Sequence, residues 1–133
     1  MPLIKTPYTF SKKERLCSKT QIENLFAQGA SFVCFPIKIV WVETKINSEF
    51  PVQLAISVSR RNFKHAVKRN LIKRRLREAF RLHKSDLYQF LSQNNKQLVF
   101  MLIYIHNNII QYAEIDIAMK KIIKKLTEKI SHK

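Results

Sequence analysis

The segment from residue 60 to residue 84 constrains the fold more than any other part of this sequence. When successive residues are placed about 100° apart, as on a helix, its apolar side chains fall within one arc of roughly 100°. These side chains are Ile72, Leu76, Ala79, Phe80 and His83. An apolar stripe of this width predicts a helix that packs on a sheet.

A second arc of the same helix is basic. Between Arg60 and Lys84 there are eleven Lys or Arg residues and a single acid, Glu78, which falls near the opposite edge. The basic arc contains Asn70, Lys73, Arg74, Arg77, Arg81 and Lys84, whereas Lys68 and Arg75 fall on the far side. Like charges four residues apart destabilise a helix. The pattern therefore favours a surface neutralised by a polyanion over a merely solvated face.

Phosphate oxygens suit this surface. Arg pairs with phosphate through a planar fork and Lys acts as a point charge, while Asn70 can both donate to and accept from a base edge or a ribose 2′-hydroxyl. Arg60, Arg61 and Lys64 precede the helix and extend the basic surface to its N-terminus, where backbone N–H groups also attract anions. The net charge of +16 and the pI near 10.2 indicate nucleic acid first and an anionic membrane surface second.

The N-terminal part predicts an arm followed by a helix. We expect residues 1–14 to form an irregular arm and residues 19–28 to form a helix, with Ser18 or Thr20 as the N-cap. Gly29 follows that helix, where a left-handed residue commonly ends a helix.

Three apolar segments predict strands. Residues 32–43 are β-branched and aromatic, with Pro36 favouring an edge position or the start of the strand. We expect residues 52–59 to pair with them as an antiparallel hairpin. Residues 97–105 predict a third, buried strand.

Two further helices complete the prediction. Residues 85–93 suggest a short helix that ends in a turn at Asn94 and Asn95, and residues 112–130 suggest a closing helix. Its apolar stripe contains Ile115, Met119, Ile122, Leu126 and Ile130. The order helix, strand, strand, helix, optional short helix, strand, helix predicts a single α+β domain over residues 1–133, with helices covering one sheet.

Several other classes of protein are disfavoured. The longest apolar run, Leu98 to Ile105, has eight residues, far short of the roughly 20 that cross a bilayer. No signal peptide is evident, and Cys17 and Cys34 lack disulfide or zinc spacing, so we expect a cytoplasmic protein with free thiols. A membrane-surface protein is disfavoured because the apolar stripe of the basic helix is already required by the sheet.

No active site is evident within the chain. Glu114 and Asp116 are close in sequence, but their i,i+2 spacing on a helix turns them apart. The four histidines, His65, His83, His106 and His132, have no Cys or carboxylate at ligand spacing, and His83 suits a packed core position. One glycine excludes a Gly-rich phosphate loop.

The stretch "SVSRRNFKHAVKRNLIKRRLREAFR", residues 57–81, closely resembles the signature of the bacterial ribonuclease P protein subunit. That signature is a basic pair, then Ala-Val, then Arg-Asn-Arg, then further cations on one helix. A looser resemblance covers about residues 14–127 and includes "ERL" and "IENLFAQG". It implies a ribosomal protein S5 domain 2-like fold with a left-handed β-α-β crossover.

The resemblance also implies functional residues. In the family these helix positions contact the catalytic RNA, and by matching positions that role passes to Arg69, Asn70, Lys73, Arg74 and Arg77. Leu71 departs from the pattern, because the family has a second Arg there. Either one contact is missing, or Lys68 or Arg75 replaces it.

A cleft for the single-stranded 5′ leader of precursor tRNA is implied as well. Aromatic groups suit such a cleft because any base can stack on a ring. The matching positions are Ile22, Phe26 and Val40, with Trp41 or Phe35 as replacements for Val40 if the register differs. The alternative is that Ile22 and Phe26 are core residues.

The implied function is that of a ribonuclease P subunit. Its partners would be the catalytic RNA and the precursor tRNA leader, with no membrane and no obligate protein partner. Mg²⁺ bound mainly by RNA would activate the attacking water. A structural RNA-binding protein, such as a ribosomal protein, is the alternative. It would use the same cations without a leader cleft.

Overall fold

The computed structural model describes residues 12–16, 18–46 and 48–131. Within them lie a 3₁₀-helix, four strands and three α-helices. In chain order these are the 3₁₀-helix Lys12–Glu14, α1 (Lys19–Gln28), β1 (Ala30–Cys34), β2 (Ile37–Glu43), β3 (Val52–Val58), α2 (Ala66–Gln93), β4 (Leu98–Tyr104) and α3 (Tyr112–Ser131). The architecture confirms an α+β fold. The part of the predicted arm before residue 12 lies outside the described residues.

The four strands form one mixed sheet in the order β1-β2-β4-β3. β1 pairs with β2 and β2 pairs with β4, both antiparallel, whereas β3 pairs with β4 in parallel. The predicted hairpin between residues 32–43 and 52–59 is therefore wrong, because β4 lies between β2 and β3. α2 lies in the connection between the parallel strands β3 and β4, which need a long crossover and cannot be joined by a tight turn. The left-handedness of this crossover stays a prediction from the resemblance.

The predicted strand 32–43 is in fact two strands. The chain turns at Phe35-Pro36, which is a cis peptide bond, and Cys34 pairs with Ile37 across the turn. Proline has no N–H to donate to a ladder, so it ends one strand and begins the next. The real hairpin of this sheet is therefore β1–β2.

Residues 85–93 do not form a separate helix, since α2 runs without interruption for 28 residues. No Gly or Pro interrupts α2, and Ser85 and Asp86 lie within its length. α2 ends at Gln93 and is followed by a turn at Asn94 and Asn95, as predicted, with Asn95 in the left-handed region at φ 54°.

The two faces of the sheet carry different layers. Ile37, Ile39 and Trp41 of β2 join the main core, which is completed by α2 and α3. The alternate residues Val40 and Val42 pack on the opposite side with Leu25 of α1. The predicted apolar stripes of α2 and α3 are confirmed except at His83, which is half-buried and not a core residue. Their buried members are Ile72, Leu76, Ala79, Phe80, Ile115, Met119, Ile122, Leu126 and Ile130.

α1 begins and ends close to the predicted bounds. Ser18 is its N-cap, because its hydroxyl accepts a hydrogen bond from the Gln21 backbone N–H at 3.3 Å. Gly29, however, has φ −72° and is not left-handed as predicted. Its role is close packing: a Cβ placed there would lie 2.3 Å from the Leu25 carbonyl oxygen and 2.9 Å from Val40 Cγ1.

Candidate nucleic-acid interface

A basin of about 450 Å³ lies at the N-terminal end of α2. It is lined by Arg61, Asn62, Phe63, Lys64, His65, Lys68, Asn107, Asn108 and Ile109. Arg61, Lys64 and Lys68 are exposed, and Arg60 lies exposed beside them in sequence. His65 is the N-cap residue and makes no side-chain capping bond. Cations thus surround backbone N–H groups at a helix start, which is a favourable place for an anion.

A smaller notch of about 230 Å³ lies halfway along α2, against β3. Lys73 and Arg77 form one side, Leu54, Ala55 and Ile56 form the floor, and Arg15 and Leu16 close it from the N-terminal segment. The sequence placed Lys73 and Arg77 on this surface but assigned no role to Arg15. The only signal available for Arg15 was the "ERL" match before the first helix.

Arg15 is held at the notch by its neighbours in the chain. The Leu16 backbone N–H donates to the Leu54 carbonyl at 2.8 Å, and Arg15 forms an isolated parallel bridge with Leu54. Glu14 is fully buried: its Oε2 accepts from Lys84 Nζ at 2.7 Å and from the Tyr88 hydroxyl. The N-terminal segment is thereby fastened to both β3 and α2.

The cations of the notch perturb one another. The pKa of Arg77 lies below its ordinary value because burial disfavours the charged form and because Arg15 and Arg74 repel it. An anion bound in the notch would relieve that repulsion. The notch is therefore a site where phosphate binding is electrostatically favoured.

The structure revises the membership of the basic arc. Lys84 was placed on it by the helical wheel, yet its side chain is 1% exposed and paired with Glu14. Arg81 lies in the basic arc four residues after Arg77, but its charge is partly compensated, because its Nε donates to Glu78 Oε2 at 3.0 Å. This pairing raises the pKa of Arg81 and lowers the pKa of Glu78. Both cations have structural partners within the protein.

Two further cations have structural partners. Arg69 Nη1 donates to the carbonyls of Phe63 and Lys64 at 2.8 and 3.0 Å, so Arg69 fastens the preceding loop to α2. Arg75 Nη1 donates to the Ile110 carbonyl at 2.7 Å, in the loop before α3. Lys68 and Arg75 are the two cations predicted as replacements for the contact missing at Leu71. Lys68 is exposed and lines the basin, whereas Arg75 is bonded to Ile110.

The remaining predicted residues of α2 lie together along one side. Asn70 and Arg74 are exposed, and Lys73 and Arg77 are half-buried at the notch. Together with the basin they make up a basic set of residues that extends from the end of β3 to the middle of α2. We call this the α2 surface; it comprises Arg60, Arg61, Lys64, Lys68, Arg69, Asn70, Lys73, Arg74, Arg77 and Arg81.

The residues predicted for the cleft lie on the other side of the sheet. Phe26 of α1 is 57% exposed, so it is not a core residue, and Ile22 is half-buried. Val40 is 7% exposed beneath α1. Trp41 belongs to the core on the opposite face, and Phe35 lies at the β1–β2 turn against His106. Neither Trp41 nor Phe35 therefore replaces Val40.

α1 covers only part of its face of the sheet. Val42, Ala55 and Ile103 pack around the smaller apolar cluster but remain half-buried. Ile22 packs on the same cluster from α1, the helix on which Phe26 is exposed. We use the name α1 trough for this partly open apolar surface beside α1, which comprises Ile22, Phe26, Val40, Val42, Ala55 and Ile103.

Titratable groups outside these surfaces have structural roles. His83 is half-buried, and its Nε2 lies 2.6 Å from Asp116 Oδ1, which links α2 to α3. The sequence had shown no carboxylate near His83, because Asp116 is distant along the chain. Across the described residues there is no group of three or more His, Cys, Asp or Glu placed to hold a metal ion.

The fold and the α2 surface define a class of small, basic α+β proteins with one long helix rich in cations. A family model described as Ribonuclease P matches residues 10–127. The chain belongs to the ribonuclease P protein family. It is a protein component of an endoribonuclease holoenzyme that works with an RNA subunit in tRNA 5′-leader processing.

Individual relatives agree with this assignment. The chain is 32% identical over 121 residues to a ribonuclease P protein component of Porphyromonas gingivalis, covering 87% of this chain and 86% of that one. It is 33% identical over 111 residues to that of Buchnera aphidicola, covering 76% and 95%. The assignment supports the implied function over the ribosomal alternative.

Solved structures share the fold. The RNase P protein of Staphylococcus aureus superposes with a TM-score of 0.65 at 23% identity, covering 85% of this chain and 94% of that one. The protein from Thermotoga maritima gives 0.64 at 20% identity, covering 84% and 96%. Within the described ranges no helix is both long enough and apolar enough to span a bilayer.

Proposed function

We propose that the α2 surface binds the catalytic RNA and that the α1 trough holds the 5′ leader of precursor tRNA. The observation that carries the proposal is the presence of two chemically different surfaces, one basic and one apolar, which adjoin at Ala55 of β3. Cations line α2 and the β3 edge, whereas apolar side chains lie beside α1. Phosphate backbones suit the first surface and unpaired bases suit the second.

On the α2 surface, the basin and the notch act as two phosphate sites. Arg74, Lys73 and Arg77 neutralise backbone charge, and the exposed Asn70 can read a 2′-hydroxyl or a base edge. Lys68 supplies the contact that Leu71 cannot make. Arg69 and Arg81 contribute with part of their donor capacity, because each already has a partner in the protein.

In the α1 trough, Phe26 is the stacking residue. Its exposed ring can bind any base without demanding a sequence. Ile22 lies one turn before Phe26 on the same helix, and Ile22 and Val40 supply apolar surface for the bases.

The chain itself supplies binding and charge neutralisation, and the active site lies in the RNA. Mg²⁺ held mainly by the RNA and the substrate would supply metal activation of the water that cleaves the leader phosphodiester. The carboxylates described here are scattered or already paired, which fits no metal site of the protein's own. The cations of this chain lower repulsion between the two RNAs, so cleavage proceeds at lower Mg²⁺. We place this activity in the cytoplasm.

The test is single-turnover cleavage of precursor tRNA by a bacterial ribonuclease P RNA at low Mg²⁺, with and without the protein. Rescue of correct 5′ cleavage supports the proposal, and identical Mg²⁺ dependence in both cases contradicts it. Phe26→Ala should reduce the preference for precursor over mature tRNA. Phe35→Ala is the matched control, because Phe35 is 64% exposed but lies outside the trough. An equal effect of both variants would remove Phe26 from the leader site.

A further inference from the structure

A second basic surface lies on α3, remote from the residues used above. Its members share an exposed position on one helix, and we call them the α3 lysines: Lys120, Lys121, Lys124, Lys125 and Lys129. Between residues 120 and 129 the only acid is Glu128. The apolar stripe of α3 is buried in the core, so these lysines form its outward face.

In the part of the chain that the structure describes, the α3 lysines have no carboxylate partner of the kind that occupies several cations elsewhere. Within residues 12–16, 18–46 and 48–131, no ion pair involves them, whereas Lys84, Arg81 and Lys96 each lie within 4.0 Å of a carboxylate. Three pairs, Lys120 with Lys124, Lys121 with Lys125, and Lys125 with Lys129, are four residues apart. Like charges at this spacing repel one another and destabilise the helix. A bound polyanion would offset that cost.

Two of these lysines are positioned by an aromatic ring. Lys125 Nζ lies 5.0 Å and Lys129 Nζ lies 5.6 Å from the centre of the Phe32 ring on β1. Cation–π contacts of this kind hold a flexible side chain over the ring face. The two ammonium groups are thus held near each other before any ligand arrives, and less side-chain entropy is lost on binding.

The α2 and α3 surfaces lie at opposite edges of the sheet. The notch of the α2 surface lies against β3, and the ring beneath Lys125 and Lys129 belongs to β1. β1 and β3 are the two outer strands of the order β1-β2-β4-β3. A nucleic acid bound along α2 at the β3 edge therefore leaves the lysines at the β1 edge free for a second backbone.

We propose that the α3 lysines bind a second RNA phosphate backbone, so that the protein bridges two RNA segments. Lysine is a point charge without the bidentate geometry of arginine, so this contact follows backbone charge and carries no sequence preference. The backbone belongs either to another part of the catalytic RNA or to the body of the bound tRNA. An anionic membrane fits less well, because the apolar stripe of α3 is already buried. The inference rests on the proposed function.

The experiment is lysine acetylation of the assembled protein, read residue by residue by mass spectrometry. Protection of Lys121, Lys124 and Lys125 is expected when RNA binds, while the exposed Lys45 in the β2–β3 loop should stay reactive. Protection by catalytic RNA alone assigns the backbone to that RNA, and protection only after precursor tRNA is added assigns it to the substrate. Equal acetylation with and without both RNAs, or protection only by phosphatidylserine vesicles, overturns the inference.

Charge variants give an independent readout. The measurement is the affinity of the protein for the complex of catalytic RNA and precursor tRNA, titrated with salt. The double variant Lys121→Gln, Lys125→Gln should reduce the slope of log affinity against log salt by about 1.4 to 1.8, the value for two lost contacts. Lys19→Gln with Lys45→Gln removes the same charge elsewhere and should change the slope less. If the two double variants behave alike while Arg74→Gln lowers the slope, the α3 inference fails and the α2 surface stands. If none of the three lowers the slope, the proposed function fails too.

Discussion

Lys84 and Glu14 form an ion pair that is almost completely removed from solvent, with Nζ 2.7 Å from Oε2 and side chains 1% and 0% exposed. The residues are 70 positions apart in sequence. The pair fastens the N-terminal segment to α2 and so holds Arg15 beside Lys73 and Arg77 at the notch. The energetics of this pair therefore bear on both stability and RNA binding.

Lys84→Met should lower the free energy of unfolding by about 3–5 kcal/mol, because it leaves the Glu14 carboxylate buried without its ammonium partner. Urea denaturation measures this. The control is Lys13→Met, since the Lys13–Glu49 pair is 68% and 66% exposed and should contribute about 0–1 kcal/mol. Adding Glu14→Gln to Lys84→Met should recover part of the loss, because the amide still accepts from Tyr88. Similar effects of the two single variants would show that the buried pair is not a special anchor.

Arg74 and Arg75 are neighbours in sequence with different predicted roles. Arg74→Gln should reduce the salt slope of RNA binding by about 0.7–0.9, because one phosphate contact is lost. Arg75→Gln should leave that slope unchanged and instead lower stability by about 1.5–3 kcal/mol, since its charged donor bonds the Ile110 carbonyl. Salt titrations and urea denaturation of both variants separate the roles. A lower slope for Arg75→Gln together with lower stability for Arg74→Gln would show that Arg75 contacts RNA and that Arg74 is structural.

Gly29→Ala should destabilise the protein by about 1–3 kcal/mol, because the added Cβ would lie 2.3 Å from the Leu25 carbonyl oxygen. Gly29→Asn should be at least as harmful, since φ is −72° and no left-handed residue is required. Thermal unfolding of both variants is the measurement. Stability retained by Asn but not by Ala would indicate a left-handed conformation after all.

Stability should fall as pH rises above 10. Burial, and then the hydrogen bond to Glu14 and its charge, raise the pKa of Tyr88 above its ordinary value of 10.0. Burial also raises the pKa of Tyr104 and of Tyr112. Above pH 10 the unfolded tyrosines lose protons that the folded ones keep, so the unfolded state is favoured, by up to about 1.4 kcal/mol per pH unit for the buried Tyr88 and by less for the other two.

Tyr88→Phe tests this dependence. The variant should be less stable at neutral pH by about 1.5–3 kcal/mol, because the hydrogen bond to buried Glu14 is lost. Above pH 10 its stability should decline less steeply than that of the native chain. Parallel curves for the two proteins would mean that Tyr88 does not contribute to the alkaline transition.

The sequence alone determined the features that depend on local periodicity. The buried stripe of α2 and that of α3 follow from apolar spacing on one helix, and the bounds of α1 and β4 follow from local composition. The cations from Arg60 to Arg77 indicated a polyanionic ligand, because their spacing gathers like charges on one side of the helix. The motif around Asn70 is specific enough to indicate the family from sequence alone.

Only the tertiary structure decided how the strands pair and which charges face a ligand. The sequence suggested that β3 follows β2 as a hairpin, but β4 pairs with both, because hydrogen-bonded pairing depends on the whole sheet and not on sequence order. A helical wheel placed Lys84 among the exposed cations, whereas Glu14 buries it from a distant part of the chain. The N-terminal segment that contains Glu14 also brings Arg15 to the notch. Periodicity reports which residues share a helix face, but burial and ion pairing depend on contacts between residues far apart in the chain.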